Sequence, residues 1–209
     1  MSSLAEPAKK TLLDVARRAV VRAVESRELL DDLPHNEALQ QPAGAFVTLH
    51  RLGRLRGCVG QLASNEALIS VVAYCAMAAA LEDPRFSPMT RDELAAFEIE
   101  ISVLSPLVEI RPDEIEAGKH GLMVSRGGRR GVLLPQVAPE HDWGPVRFLE
   151  ETCEKAGLER DAWKQPETRV QAFTAEVFSE LNFGLNISAE PQAKKKPAAG
   201  AKPGYSTST

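Results

Sequence analysis

Leu55-Arg56-Gly57-Cys58-Val59-Gly60 is the segment on which the reading of this chain turns. Ahead of it, Ala45 to His50 alternates apolar and polar residues, and Leu52-Gly53 supplies a turn. That pattern predicts two strands, Ala45–His50 and Leu55–Val59, paired as an antiparallel hairpin. Cys58 falls on the second arm, framed by glycines whose missing Cβ atoms let a ligand or another backbone come close. A strand period of two puts Arg56 on the same face as Cys58, near enough to favour a thiolate by Coulomb attraction unless a bulge at Gly57 intervenes. Arg56, Gly57, Cys58 and Gly60 are therefore candidate site residues. The plainer reading is a tight hairpin arm, with glycines that serve only the backbone and a cysteine that acts as a small buried hydrophobe.

Outward from the hairpin, helices and strands mix without regular alternation. Thr11 with Asp14 resembles a capping box, and Leu12, Val15, Ala16, Ala19, Ala23 and Val24 recur at helical spacing, so a first helix is expected from Thr11. Glu66 to Leu81 predicts a strongly apolar helix with Cys75 on its core-facing stripe. Asp83-Pro84-Arg85-Phe86-Ser87-Pro88 ends it, and Thr90-Arg91-Asp92-Glu93 opens a short helix. Phe97, Ile99, Ile101 and Val103 alternate with Glu98, Glu100 and Ser102 as a half-buried strand. Leu122–Ser125 and Gly131–Leu134 predict a second hairpin, closed by Arg126-Gly127-Gly128-Arg129-Arg130. Pro145 to Ala156 reads as a helix stopped at Gly157, with Cys153 inward, and Phe173, Ala175 and Val177 as one last strand. The fold class expected is α+β.

Composition bounds the function. The 209 residues, 44% hydrophobic, suffice for one sizeable core or for one domain with a smaller lobe attached. A formal net charge of -4 argues against general nucleic-acid binding. No apolar run is long enough to span a bilayer, and Met1 to Lys10 has no apolar signal core, so a cytoplasmic protein is expected. Three widely spaced cysteines fit free thiols in a reducing compartment. Residues 1–10 read as a leader, 11–188 as the folded body and 189–209 as a disordered basic tail with four lysines.

Other chemistry is weakly signalled. Glu98 and Glu100 read as the solvated side of a strand rather than a general acid/base pair. The Arg126–Arg130 loop could cradle a phosphate, but it lacks the GxxxxGK[ST] pattern and the following helix, so it reads as a solvated turn. No nicotinamide, flavin, nucleotide or iron–sulfur fingerprint is present, and spacing selects no metal ligands, so neither cofactor nor metal is expected.

The order of these pieces resembles the AMMECR domain family. The likeness is carried by LRGCVG, by Asp83-Pro84-Arg85-Phe86 with Glu93-Leu94, and by the strand Glu98 to Ser105. It continues through Gly118-Lys119-His120-Gly121-Leu122, Leu133-Leu134-Pro135-Gln136-Val137, and Trp143 to Leu158. It spans roughly Leu12 to Leu181 and is strongest toward the protein A component of AmmeMemoRadiSam systems. The resemblance implies a two-lobed domain with a cleft, and as partners a Memo-family protein and a radical SAM protein. Position by position, it implicates Arg56, Gly57, Cys58, Gly60, Arg85, His120, Pro135, Gln136 and Glu140 in lining or supporting that cleft. It departs near Val170 and Gln171, where relatives often carry an aromatic residue.

Two functions are carried forward. In the first, the cleft binds a small molecule or a partner, with Arg56 and Arg85 clamping a carboxylate or phosphate, and Gln136 and Glu140 among the binding residues. In the second, the protein is an enzyme in which Cys58 is a nucleophile for group transfer, Arg56 its activator and His120 its base.

Overall fold

The computed structural model describes residues 3–185, so the tail predicted from residue 189 lies outside the described residues. Helix α1 runs Glu6–Ser26. It starts five residues before the expected Thr11, because Pro7 occupies the first turn, where its missing N–H costs nothing. The Thr11 hydroxyl is inside the helix and donates to the Pro7 carbonyl at 3.0 Å, so the predicted Thr11 cap is not formed. Hairpin β1 (Ala45–Arg51) and β2 (Arg54–Gln61) follows, then α2 (Leu68–Leu81) and β3 (Glu98–Leu104). Short β4 (Val108–Glu109) precedes β5 (Gly121–Arg126) and β6 (Arg129–Leu133). The one-turn helix α3 (Val137–Glu140), α4 (Pro145–Lys155), β7 (Arg169–Phe173) and β8 (Ala175–Ser179) complete the chain.

The strands form two antiparallel sheets, ordered β2-β1-β3-β8 and β4-β7-β5-β6. The single strand expected at Phe173–Val177 is in fact two. β7 lies between β4 and β5 in the second sheet and β8 returns to β3 of the first, with Thr174 between them. The inward residue of β8 is Phe178, while Val177 is 48% exposed, so the alternation read across Thr174 does not continue. The change of sheet resets the side-chain parity.

Each sheet is covered by helices on one face. Eleven residues of α2 are buried, not a stripe, because the helix packs between α1 and the β1–β2 hairpin. Leu12, Val15 and Ala19 of α1 join Val47, Leu49, Ile99 and Ile101 in this first core. The second core places Phe148, Leu149 and Cys153 of α4 against Leu122, Val124 and Ala172. A buried ion pair that the sequence pattern did not reveal ties α1 to the first sheet. Arg17 donates to both Glu180 oxygens at 2.6 and 2.8 Å, its guanidinium lies 4.1 Å over the Phe97 ring, and Glu180 accepts the Ile99 N–H. Leaving either charge unpaired there would be costly, so the pair fixes the depth of α1 on the sheet.

Candidate functional site

Cys58 pairs with Thr48 across the hairpin, on the sheet face away from α2. The Thr48 hydroxyl donates to Cys58 Sγ at 3.3 Å, and the thiol is half-buried. Counting back from the Leu52-Gly53 turn would set Val47 opposite Cys58; one extra residue in β2 between the turn and Cys58 moves the pairing to Thr48.

Arg56 is not beside the thiol as the strand period predicted. Leu49 pairs with Gly57 while His50 pairs with Leu55, leaving Arg56 as the extra residue of a bulge that turns its side chain away. Its Nε and Nη2 donate to both oxygens of Glu93, at 2.7 and 3.0 Å, and Nη2 also reaches the Ser87 carbonyl. Only 13% of the Arg56 side chain and 14% of the Glu93 side chain are exposed. Glu93 meanwhile caps the Arg91–Ala95 turn by accepting the Thr90 N–H. The guanidinium and these capping bonds hold the Glu93 carboxyl down to about 2. Arg56 therefore ties the bulge to the Arg91–Ala95 turn instead of activating Cys58.

Arg85 takes the place beside Cys58. Asp83, 3% exposed at its side chain, accepts the Cys58 N–H at 2.8 Å and Arg85 Nε and Nη2 at 2.9 and 2.7 Å. Arg85 Nη2 also lies 3.4 Å from the Cys58 carbonyl. Both backbone groups of Cys58 on the free edge of β2 are thereby met by side chains, which blocks a further strand from pairing there. The Arg85 hydrogen bonds hold the Asp83 carboxyl well below the usual carboxylate range. The Arg85 side chain stays 55% exposed, and among the described residues its Nη1 has no acceptor.

The framing glycines have packing reasons. A Cβ on Gly57 would lie 2.0 Å from the Ala79 carbonyl oxygen, so this position lets the backbones of β2 and α2 touch. Gly60 is covered by the Phe46 ring, 2.2 Å from where its Cβ would stand.

The remaining candidates belong to the second lobe. His120 precedes β5, and its Nδ1 accepts the Glu116 N–H at 3.1 Å. Gln136 leads into α3 half-buried, and Glu140 ends that helix exposed. No hydrogen bond or ion pair among the described residues joins His120, Gln136 or Glu140 to Cys58. Two hollows, of about 580 and 520 Å³, also lie in this lobe, one at Trp163 and Arg169 and one at the β5–β6 turn. Cys75 and Cys153 are wholly buried, and burial pushes the Cys75 thiol up to about 12.

Residues 13–178 match the AMMECR1 family. The chain belongs to the AMMECR1 family. Among its relatives, a protein of Methanothermobacter thermautotrophicus is 42% identical over 181 residues, covering 82% of this chain and 93% of the relative. One from Aquifex aeolicus is 39% identical, with 82% and 92% covered. The crystal structure of the uncharacterized protein PH0010 from Pyrococcus horikoshii superposes with a TM-score of 0.74 at 37% identity, covering 80% of this chain and 89% of that one. The AMMECR1 fold is thus the α+β architecture described above. The family's function is uncharacterised, so the site must speak through its own chemistry.

Proposed function

We propose that this AMMECR1-family chain is a binding component that captures an acidic group, carboxylate or phosphate, at the Cys58–Arg85 corner of β2. The observation carrying this reading is the state of Arg85: two of its nitrogens are fixed on Asp83 while the rest of the guanidinium faces solvent. A cation already held in one geometry loses little conformational freedom when it binds an anion. Thr48 and Cys58 provide a polar, half-buried floor beside it. The bearer of the acid is a small molecule or the surface of a partner, and the sequence resemblance nominates a Memo-family protein and a radical SAM protein. Action in the cytoplasm belongs to this reading too. No helix among the described residues is long and apolar enough to cross a membrane.

The test is alkylation of Cys58 by iodoacetamide, resolved from Cys75 and Cys153 by peptide mass spectrometry. It is run alone, with a panel of small carboxylates and phosphates, and with each partner at low salt. Protection of Cys58 that is lost in Arg85→Gln supports the reading. Equal alkylation under all three conditions sinks it.

The thiol-enzyme alternative retains one supporting contact, the Thr48 hydroxyl donated to Cys58 Sγ, which would stabilise a nucleophilic sulfur. Its proposed activator Arg56 is committed to Glu93, and its proposed base His120 is engaged at Glu116. Full ligand capture by Cys58→Ser would separate binding from this alternative.

A further inference from the structure

The β5–β6 hairpin closes through Gly127 and Gly128, with φ of 54° and 82°, the left-handed pair that a two-residue turn following the strand twist requires. A Cβ on either would meet nothing within 4 Å, so the turn stands clear of the protein. Behind it, Ser125 of β5 is paired with Arg130 of β6 on one side and with Arg169 of β7 on the other. Directly opposed residues of antiparallel strands share a face, so the row Arg130–Ser125–Arg169 sets a hydroxyl between two guanidinium-bearing side chains. One step toward the turn, Arg126 opposes Arg129. These side chains, with Glu167, line an open groove of about 520 Å³, large enough for a nucleotide-sized molecule.

Like charges placed opposite one another across strands repel. The acids nearby relieve only part of this. Arg126 pairs with Glu159 and Arg169 with Glu109, both pairs having strongly exposed partners, while Arg129 spends one nitrogen on the Gly157 carbonyl. Arg130 has no hydrogen bond or ion pair among the described residues. Exposed pairs of this kind contribute little and exchange readily for a better anion. Glu167 sits at the groove wall and opposes a second negative group, which favours one compact anion over a long polyanion. The chain's net charge of -4 points the same way, because the positive field here is local.

We infer that the Arg130–Ser125–Arg169 groove is a binding site for the phosphate of a small phosphorylated molecule, separate from the Cys58–Arg85 corner. Arg130 and Arg169 supply forked donors from two sides, and the Ser125 hydroxyl caps the third.

The experiment is an amide chemical-shift titration of the full chain with pyrophosphate, with ATP, and with a single-stranded RNA oligonucleotide. It is repeated for Arg130→Gln and Arg85→Gln. Arg130 has no internal partner, so Arg130→Gln keeps the wild-type thermal midpoint. The expected result is saturable binding of pyrophosphate or ATP, with shifts centred on Ser125, Arg130 and Arg169. Affinity falls about tenfold or more in Arg130→Gln and is unchanged in Arg85→Gln. Absence of saturation at millimolar pyrophosphate and ATP overturns the site, as does equal binding by Arg130→Gln. Tighter binding of RNA than of pyrophosphate or ATP also overturns it, in favour of a nucleic-acid surface. Loss of binding in Arg85→Gln alone would assign the anion to the Cys58 corner instead.

Discussion

Ser105 and Thr174 are hydrogen-bonded to each other where the chain passes between the two sheets: the Ser105 N–H donates to the Thr174 carbonyl, and the Thr174 N–H donates to Ser105 Oγ, both at 2.9 Å. β3 passes to β4 through Ser105, Pro106 and Leu107 and β7 to β8 through Thr174, so the two crossings run side by side as an antiparallel ribbon with a one-residue register shift. Ser105→Ala removes one of the two bonds at a partly exposed site. It should cost about 1 kcal/mol in urea unfolding, with the largest rise in hydrogen exchange at the Thr174 amide. A rise spread evenly over both lobes would deny the ribbon its role as the joint.

The β1–β2 turn carries a correctable strain. Leu52 holds φ at 53°, a region unfavourable for a branched residue, and its side chain is 83% exposed and so contributes no packing. Gly53 follows at 71°, giving the backbone that Asn-Gly adopts best. Leu52→Asn should stabilise the protein by roughly 0.5–1 kcal/mol, read as a higher thermal midpoint with the Cys58 alkylation rate unchanged.

Gly57 and Gly60 separate by what they touch. The Gly57 Cβ would stand 2.0 Å from the Ala79 carbonyl oxygen, which cannot yield without moving α2, whereas the Gly60 Cβ would stand 2.2 Å from a Phe46 ring able to turn and 2.6 Å from the Ala45 carbonyl oxygen, a milder backbone clash. Gly57→Ala should therefore destabilise by about 3 kcal/mol or prevent folding, and Gly60→Ala by about 2–3 kcal/mol. Chemical denaturation of the two variants, with circular dichroism of the native state, gives the order.

Glu93 links stability to acid. Its carboxyl is at about 2 in the folded chain against an ordinary 4.5, so the folded state holds the charged form more tightly. A depressed carboxylate stabilises fully above its unfolded value and loses that stabilisation as pH falls from about 4.5 through 2. Asp83, lowered by Arg85, acts with the same sign. Wild type should exceed Glu93→Gln by about 1–2 kcal/mol at pH 7, discounted for the solvent that reaches the pair. The gap should narrow as pH falls below about 4.5 and close only below pH 2, in denaturant titrations at fixed ionic strength. A gap independent of pH would mean the ion pair contributes nothing.

Periodicity, turn chemistry and charge balance were enough to read the α+β class, both hairpins, α4 with its inward Phe148, Leu149, Thr152 and Cys153, and the structural character of Cys75 from the residues alone. These are local properties, set by which side chains recur on one face and which residues tolerate a turn. The register that puts Thr48 under Cys58 was not legible in this way, since the Leu52-Gly53 turn by itself would pair Val47 with Cys58. Contacts between distant segments decided the rest. A one-residue bulge sent Arg56 to Glu93, 37 residues away in sequence, and left the edge of Cys58 to Asp83 and Arg85. Thr174 divided one apparent strand between two sheets. The cross-strand row of Arg130, Ser125 and Arg169 exists only because β7 returns beside β5. A strand's pattern says which residues face together, but which strand lies alongside it is set by the energy of the assembled cores, and no single segment carries that information.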